Sequence, residues 1–352
     1  SSGIRKRMND GHNDTADKNC SLEDLAAEIE RFSLQAGGTI SIASHYAPDP
    51  DAYGSSCGLA LALIAGGKHA INIVNEDGAS KRLSWMPGVM QVQSEFAKEI
   101  APEKHLLIAC DCGDRNRLGD RLAPQVPEKF GRVVSVDHHA TNDFFGDLNY
   151  VIPTASSTSE LILGLLESMR TVPITREVAT ALYAGIAADT GSFKYSSTSA
   201  ATFDAARRLV RYGAVPSEIA RELFERTSVG AMRLHSMAMS KVELFAAGKI
   251  AQVVVTKEMV ALAGATMEDG DDLKSVAQSV DGVMLSAVLR EYDDLWRISL
   301  RAKTPEFDVA SVAESFGGGG HKAAAAFRWK KSLAELTPEL IKRLQDALNR
   351  PI

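Results

Sequence analysis

The sequence predicts two α/β domains: a first one built on a parallel sheet, then a helical linker leading to a smaller second one. Three observations carry this. Short apolar runs alternate with helix-like segments over the first part of the chain, as βαβ units require. Those runs are continuously apolar, which marks strands covered on both faces. Beyond about residue 230 the order changes to strand, helix, hairpin, helix. The boundaries read as 19–205 for the first domain, 206–230 for the linker and 231–352 for the second domain. Residues 1–18 are polar and rich in Gly, Asn and Asp, and are expected to be disordered or tag-derived.

Taken in order, Ser21 can cap an amphipathic helix bearing Leu22, Leu25, Ile29 and Phe32. TISIAS follows as a strand, and GSSCGLALALIAGG as a helix. AINIVN (70–75), HLLIACD (105–111) and RVVSVD (132–137) are further strands. Helices are expected at 156–170, 175–188 and 199–212. In the second domain KIAQVVVT reads as a strand and DDLKSVAQSV as a helix. VMLSAVLREY and LWRISLRAK form a hairpin turning at Asp293–Asp294. FDVASVAESF is a helix that runs into Gly317–Gly320, and a last helix spans about 335–348.

Composition narrows the function classes. The chain has 352 residues, 45% hydrophobic and 24% charged, an ordinary globular balance. No run approaches the ~20 apolar residues that span a bilayer, so no membrane association is expected. The net charge of −6 argues against long duplex nucleic acid, although metal ions can supply local positive charge for short nucleotides. Cys20, Cys57, Cys110 and Cys112 form no CxxC pair, and a reducing, cytoplasmic setting is expected. Cys110 and Cys112 flank Asp111 on an apparent strand and are expected to face away from it together.

The chemistry-bearing residues cluster at element ends. His45-Tyr46-Ala47-Pro48-Asp49-Pro50-Asp51 follows a strand and precedes a helix, where parallel sheets hold ligands. The two prolines bias Ala47 and Asp49 to extended backbone. In extended chain Asp49 and Asp51 point the same way, onto adjacent ions. Asp111 ends the strand HLLIAC. Asp137-His138-His139 ends RVVSV. Asp189 ends LYAGIAA. Singly, several of these are compatible with caps and turns. Jointly, His45, Asp49, Asp51, Asp111, His138 and Asp189 give four carboxylates and two imidazoles, a charge that balances two divalent ions. Mixed oxygen and imidazole donors suit manganese or iron better than magnesium.

The stretches HYAPDPD (45–51), IACDCGD (108–114), VDHH (136–139) and AADTGSFKYSS (188–197) resemble the DHH phosphoesterase family. SLRA (299–302) with FGGGGHKAAAAF (316–327) is similar to the family's associated C-terminal domain. Within the family the arrangement resembles the nano-RNA exonuclease and pAp phosphatase subgroup, which includes cyclic dinucleotide phosphodiesterases. The resemblance implies that His45 and Asp49 hold one metal, that Asp51, His138 and Asp189 hold the other, and that Asp111 bridges them. It implies that Asp137 orients a histidine and that His139 contacts the substrate phosphate. Asp111, Asp137, His138 and His139 are then the catalytic set. The resemblance implies two ions, manganese first, that would lower the pKa of a shared water for attack on phosphorus. His139, Arg301 and His321, with the backbone of Gly318, Gly319 and Gly320, are the expected substrate contacts. The expected partners are short RNA oligonucleotides or small nucleotides lying in a cleft between the domains, with a homodimer as the assembly.

Three positions depart from the family pattern: Lys194 stands for an arginine, Ala326 for a glycine, and Ala302 for a serine. None is a proposed metal ligand, so they bear on specificity. Within the same chemistry the glycine–histidine motif argues against a pyrophosphatase, and the modest length against a RecJ-like exonuclease. A regulator that binds nucleotides without hydrolysis need not keep all six ligands. A structural metal protein is usually richer in sulfur.

Overall fold

The computed structural model describes residues 19–350 apart from residues 69, 170, 271, 272 and 305. The expectation for residues 1–18 therefore lies outside the described residues. The chain divides into two compact units, one ending at Arg226 and the other beginning at Thr227.

In the first unit α1 (Leu22–Leu34) starts at Ser21, whose hydroxyl and Asp24 form a capping box. Then come β1 (Thr39–Ala43), α2 (Pro50–Ala65), β2 (Ile71–Val74), β3 (His105–Cys110), α3 (Val126–Lys129), β4 (Arg132–Asp137) and β5 (Leu148–Val151). Helices α4 (Thr158–Ser168), α5 (Arg176–Asp189), α6 (Ala200–Arg211) and α7 (Pro216–Ala220) complete it. The strands pair in parallel in the order β2-β1-β3-β4-β5. Strand β5 escapes the sequence reading because LNYV is half-buried and follows a loop without a clear apolar run. Residues 206–226 carry Ala206, Leu209, Ala214 and Ile219 into the first unit's core.

Both faces of this sheet are covered, as its continuous apolar strands require. On β3, Leu106, Ile108 and Cys110 pack against helices α1, α2, α4 and α5 on one side. Leu107 and Ala109 pack with Leu118, Leu122, Val126 and Phe130 on the other. The expectation that Cys110 and Cys112 share a side is corrected: Cys110 joins the first cluster and Cys112 the second. The strand ends at Cys110, and Asp111 adopts a left-handed φ of +57°, which breaks the two-residue alternation.

Helices α2 and α5 touch backbone to backbone. A Cβ on Gly54 would lie 2.6 Å from the Ala181 carbonyl oxygen and 3.1 Å from the Gly185 nitrogen. Only glycine fits there.

The second unit contains α8 (Val229–Met239), β6 (Glu243–Phe245), β7 (Ile250–Val255), α9 (Lys257–Ala263), α10 (Leu273–Ser279), β8 (Leu285–Glu291) and β9 (Trp296–Ala302). It ends with α11 (Val309–Glu314), β10 (Gly319–His321), β11 (Ala324–Trp329) and α12 (Leu333–Asn349). Its sheet runs β10-β11-β9-β8-β7-β6 and is mixed, with only β7 and β8 parallel among the pairs. The hairpin of β8 and β9 closes through Tyr292 N–H donating to the Leu295 carbonyl, around Asp293–Asp294. Thus the α/β class read from the sequence describes both units.

Candidate metal centre

The strand order of the first sheet reverses between β1 and β3: from β1 the chain builds outwards to β2 on one side, and β3, β4 and β5 follow on the other. In parallel sheets ligands bind past the strands' carboxyl ends at such a switch point. His45 lies just after β1 and Asp111 just after β3, and His45 Nε2 is 3.5 Å from Asp111 Oδ2.

Around that pair stand two groups of ligand-type atoms, each within 4.8 Å of one another: His45, Asp49 and Asp111; and Asp51, His138 and Asp189. Asp111 reaches the second group too, with Oδ1 3.6 Å from His138 Nε2. His138 Nε2 is 3.2 Å from Asp189 Oδ2, and His45 Nε2 is 3.9 Å from Asp49 Oδ2. A third grouping, Asp111 with His138 and His139, overlaps these.

Each side chain is held locally. Asp49 caps α2, accepting from the Asp51 and Ala52 amides at 3.0 Å. Asp51 therefore sits in the first helical turn rather than in extended chain, so the convergence of the two aspartates comes from a cap and its helix. Ala47 departs from the extended expectation with a φ of +50°, and its N–H donates to Asp77 Oδ2 at 2.6 Å. Asp49 keeps the extended backbone expected before proline. The His45 Nδ1–H donates to the Tyr46 carbonyl at 2.8 Å, which leaves Nε2 as the metal-facing nitrogen. His138 places Nδ1 3.4 Å from the Ala155 carbonyl, again turning Nε2 to the carboxylates.

Asp137 is fully buried. Its Oδ1 accepts from His139 Nδ1 at 2.7 Å and from the His138 amide at 2.9 Å, and its Oδ2 accepts from Asn142 at 2.7 Å. It thus orients His139 directly. That hydrogen bond is the main reason the His139 pKa is raised, against burial. A third of the His139 side chain is exposed.

Several residues of the site were not singled out in the sequence. The α4 amides of Thr158 and Ser159 donate to the two oxygens of Asp51 at 2.7 and 3.0 Å. The Thr158 hydroxyl donates to Asp111 at 3.0 Å. Gly185 is also part of the fit, since a Cβ there would lie 2.5 Å from Asp51 Oδ1 and 2.1 Å from Ser159 Oγ. The signal available was the run Ser156-Ser157-Thr158-Ser159-Glu160 before an apolar helix, a cap sequence whose ligand lies far away in the chain.

The electrostatics call for cations. Burial together with Asp111 and Asp189 pushes the Asp51 carboxyl far above its usual range. Burial lifts Asp189 to about 6, despite its hydrogen bond to His138. At Asp111 burial is outweighed by His45, His138 and His139, which hold it at about 2. Burial opposes a charge on His138, but Asp189 and the neighbouring carboxylates raise it to about 10. Such crowding is relieved by divalent ions. With oxygen and imidazole donors in two adjoining groups, the residues fit a two-ion centre.

In the second unit, Arg301 lies opposite Ala324 in the β9–β11 register and shares its sheet face with Ser299. The glycine run is less open than the sequence suggests. Gly317 and Gly318 commit their N–H groups to the Glu314 and Ala313 carbonyls at the end of α11. Gly319, Gly320 and His321 form β10. A Cβ on Gly318 would lie 2.2 Å from the Ala326 carbonyl oxygen, so this glycine serves packing, whereas Gly319 faces open space. The His321 side chain lies outside the described residues. Of the departures, Lys194 and Ala326 are exposed and Ala302 is buried.

Comparison with known proteins gives this geometry a context. Residues 39–186 match the DHH family, N-terminal domain, and residues 260–350 match the DHHA1 domain. The chain is 30% identical over 299 residues to the bifunctional oligoribonuclease and PAP phosphatase NrnA of Bacillus subtilis (strain 168), covering 84% of this chain and 91% of that one. The chain belongs to the DHH family. This DHH-family chain is also 32% identical over 288 residues to NrnA of Thermus thermophilus, covering 82% and 83% of the two. The crystal structure of an exopolyphosphatase-related protein from Bacteroides fragilis superposes with a TM-score of 0.84 at 25% identity, covering 93% and 98%. As a DHH phosphoesterase it is a hydrolase of phosphate esters. Among the described residues no helix is long and apolar enough to cross a membrane.

Proposed function

We propose that this DHH phosphoesterase hydrolyses short oligoribonucleotides or small nucleotides such as pAp and linear or cyclic dinucleotides, using two divalent ions. The observation that carries the reading is Asp111, which reaches both His45 at 3.5 Å and His138 at 3.6 Å and so joins the two ligand groups. His45 and Asp49 are assigned to one ion, Asp51, His138 and Asp189 to the other, and Asp111 to both. When bound, the ions supply an activated water and stabilise charge on the phosphoryl oxygens. The chain's own residues do the rest. Asp137 keeps the proton on His139 Nδ1, and the charged His139 donates from Nε2 to a phosphate oxygen. His138 holds Nε2 towards the ions through its Nδ1 contact. Arg301, His321 and the Gly318–Gly320 segment are assigned to substrate phosphate and sugar, Gly318 through the shape it gives the segment.

The substrate class is supported by the two relatives named as oligoribonuclease and PAP phosphatase, which match this chain over most of its length. Manganese is the ion we assign, from the mixed donors. The four described cysteines are all unpaired, which suits the cytoplasm. A homodimer is the assembly we assign, by resemblance. The test is a manganese-supplemented assay on dinucleotide RNA, pAp, linear and cyclic di-AMP and pyrophosphate. Asp111→Ala should lose activity by at least a thousandfold and bind less metal. Undiminished turnover in that variant overturns the assignment. Turnover of pyrophosphate alone overturns the substrate class.

A further inference from the structure

We infer that Tyr46, backed by the Arg117 guanidinium, is the platform on which a nucleobase of the substrate stacks beside the metal centre; this rests on the nucleotide reading above. Tyr46 directly follows His45. His45 is 5% exposed, yet the neighbouring Tyr46 is 47% exposed.

Its backbone is fixed on every side. Tyr46 N–H donates to the Arg117 carbonyl at 2.7 Å, and its carbonyl accepts from His45 Nδ1 at 2.8 Å. The next residue, Ala47, is locked at a φ of +50° by its bond to Asp77. An exposed ring on so constrained a backbone loses little freedom when a ligand covers it.

The second half of the platform is Arg117, whose guanidinium carbon lies 5.4 Å from the Tyr46 ring centroid. Arg117 belongs to the turn Arg115–Leu118, capped by Asp114 and pinned by the buried Leu118. That turn leaves the same loop that carries Asp111. The aromatic and the cation are thus carried by the two loops that place His45 and Asp111 at the sheet's switch point. A guanidinium plane and an aromatic ring both stack on bases, with little preference among them. Arg117 also carries a positive charge on the segment that follows Asp111. Stacking on one aromatic is worth roughly five- to hundredfold in affinity.

The experiment compares a diribonucleotide with the same dinucleotide lacking both bases, with manganese, in the full chain. Tyr46→Ala should raise KM for the diribonucleotide about tenfold, leave kcat within about twofold and leave KM for the abasic compound unchanged. Tyr46→Phe should restore the wild-type KM, since a ring suffices. Metal content should match wild type, because only Tyr46 backbone atoms hold His45. An unchanged diribonucleotide KM in Tyr46→Ala, an equal change on the abasic compound, or lost metal each overturns the platform. If the wild-type chain hydrolyses the abasic compound as well as the diribonucleotide, no base is read and the platform falls while phosphoester hydrolysis stands. If it hydrolyses neither, the nucleotide reading itself falls.

Discussion

Asp111 leaves β3 in a left-handed conformation that costs a non-glycine residue on the order of 1–3 kcal/mol. Its amide still donates to the Val136 carbonyl at 3.0 Å, so the strain is confined to one residue. The turn is what lets its carboxylate face His45 and His138 together. Gly185 shows the opposite economy, a missing side chain. With Asp51 Oδ1 and Ser159 Oγ both inside 2.6 Å of where a Cβ would stand, Gly185→Ala must displace the Asp51 carboxylate or its amide clamp. We expect a loss of about 1–3 kcal/mol in unfolding free energy, as for other overpacked sites. Manganese affinity by titration calorimetry should also fall at least tenfold; wild-type affinity in that variant would show that the clamp is not needed.

At the scale of elements, strand β1 and strand β3 share a buried polar pair, Ser41 Oγ and His105 Nε2 at 2.8 Å, beside the Phe130 ring. Burial is the main reason the His105 pKa falls from 6.5 to about 4, more than offsetting the Lys129 backbone bond that raises it. The folded state therefore binds this proton less readily than the unfolded chain. Stability is full above about 6.5 and declines as pH falls from 6.5 towards 4. Urea titrations of metal-free protein should show that decline steepening in this window, and His105→Gln should flatten it. An identical pH slope in the variant would exclude His105. Elements of this kind were legible in the sequence where an apolar run met a cap: β3, β4 and α5 appear where periodicity and end residues place them, whereas α2 begins at Pro50, ahead of the run read as its helix. Asp49 and Asp189 were legible because they stand at element ends, whereas Asp51, read in extended chain, stands in the first turn of α2. The α4 clamp on Asp51 was not, because Thr158 and Ser159 act through amides, which carry no residue identity. Nor was the split of the glycine run, since four like residues give no sign of which two a helix end will use.

Over the whole molecule, the proposed ligands all belong to the first unit, while the second unit has hydrophobic clusters of its own. An ion bound to the folded first unit stabilises that unit by mass action. Differential scanning calorimetry with excess manganese should therefore raise the transition of the first unit by several degrees and leave that of the second in place. Chelation should reverse the shift. Equal shifts in both transitions would mean that the units do not unfold separately. In the proposed centre, ions rather than surface lysines would match the acidic residues, which is compatible with a net charge of −6.

The contact of α2 with α5 at Gly54 and Gly185 has a mechanical consequence. Asp51 opens one of these helices and Asp189 closes the other, so the gap between their carboxylates is gauged by peptide against peptide. At Gly54 the approach is limited by backbone atoms, while at Gly58 the same two helices meet through the Leu182 side chain. The spacing of the two proposed ligands is thus set in part by a hard stop of main chain on main chain at Gly54.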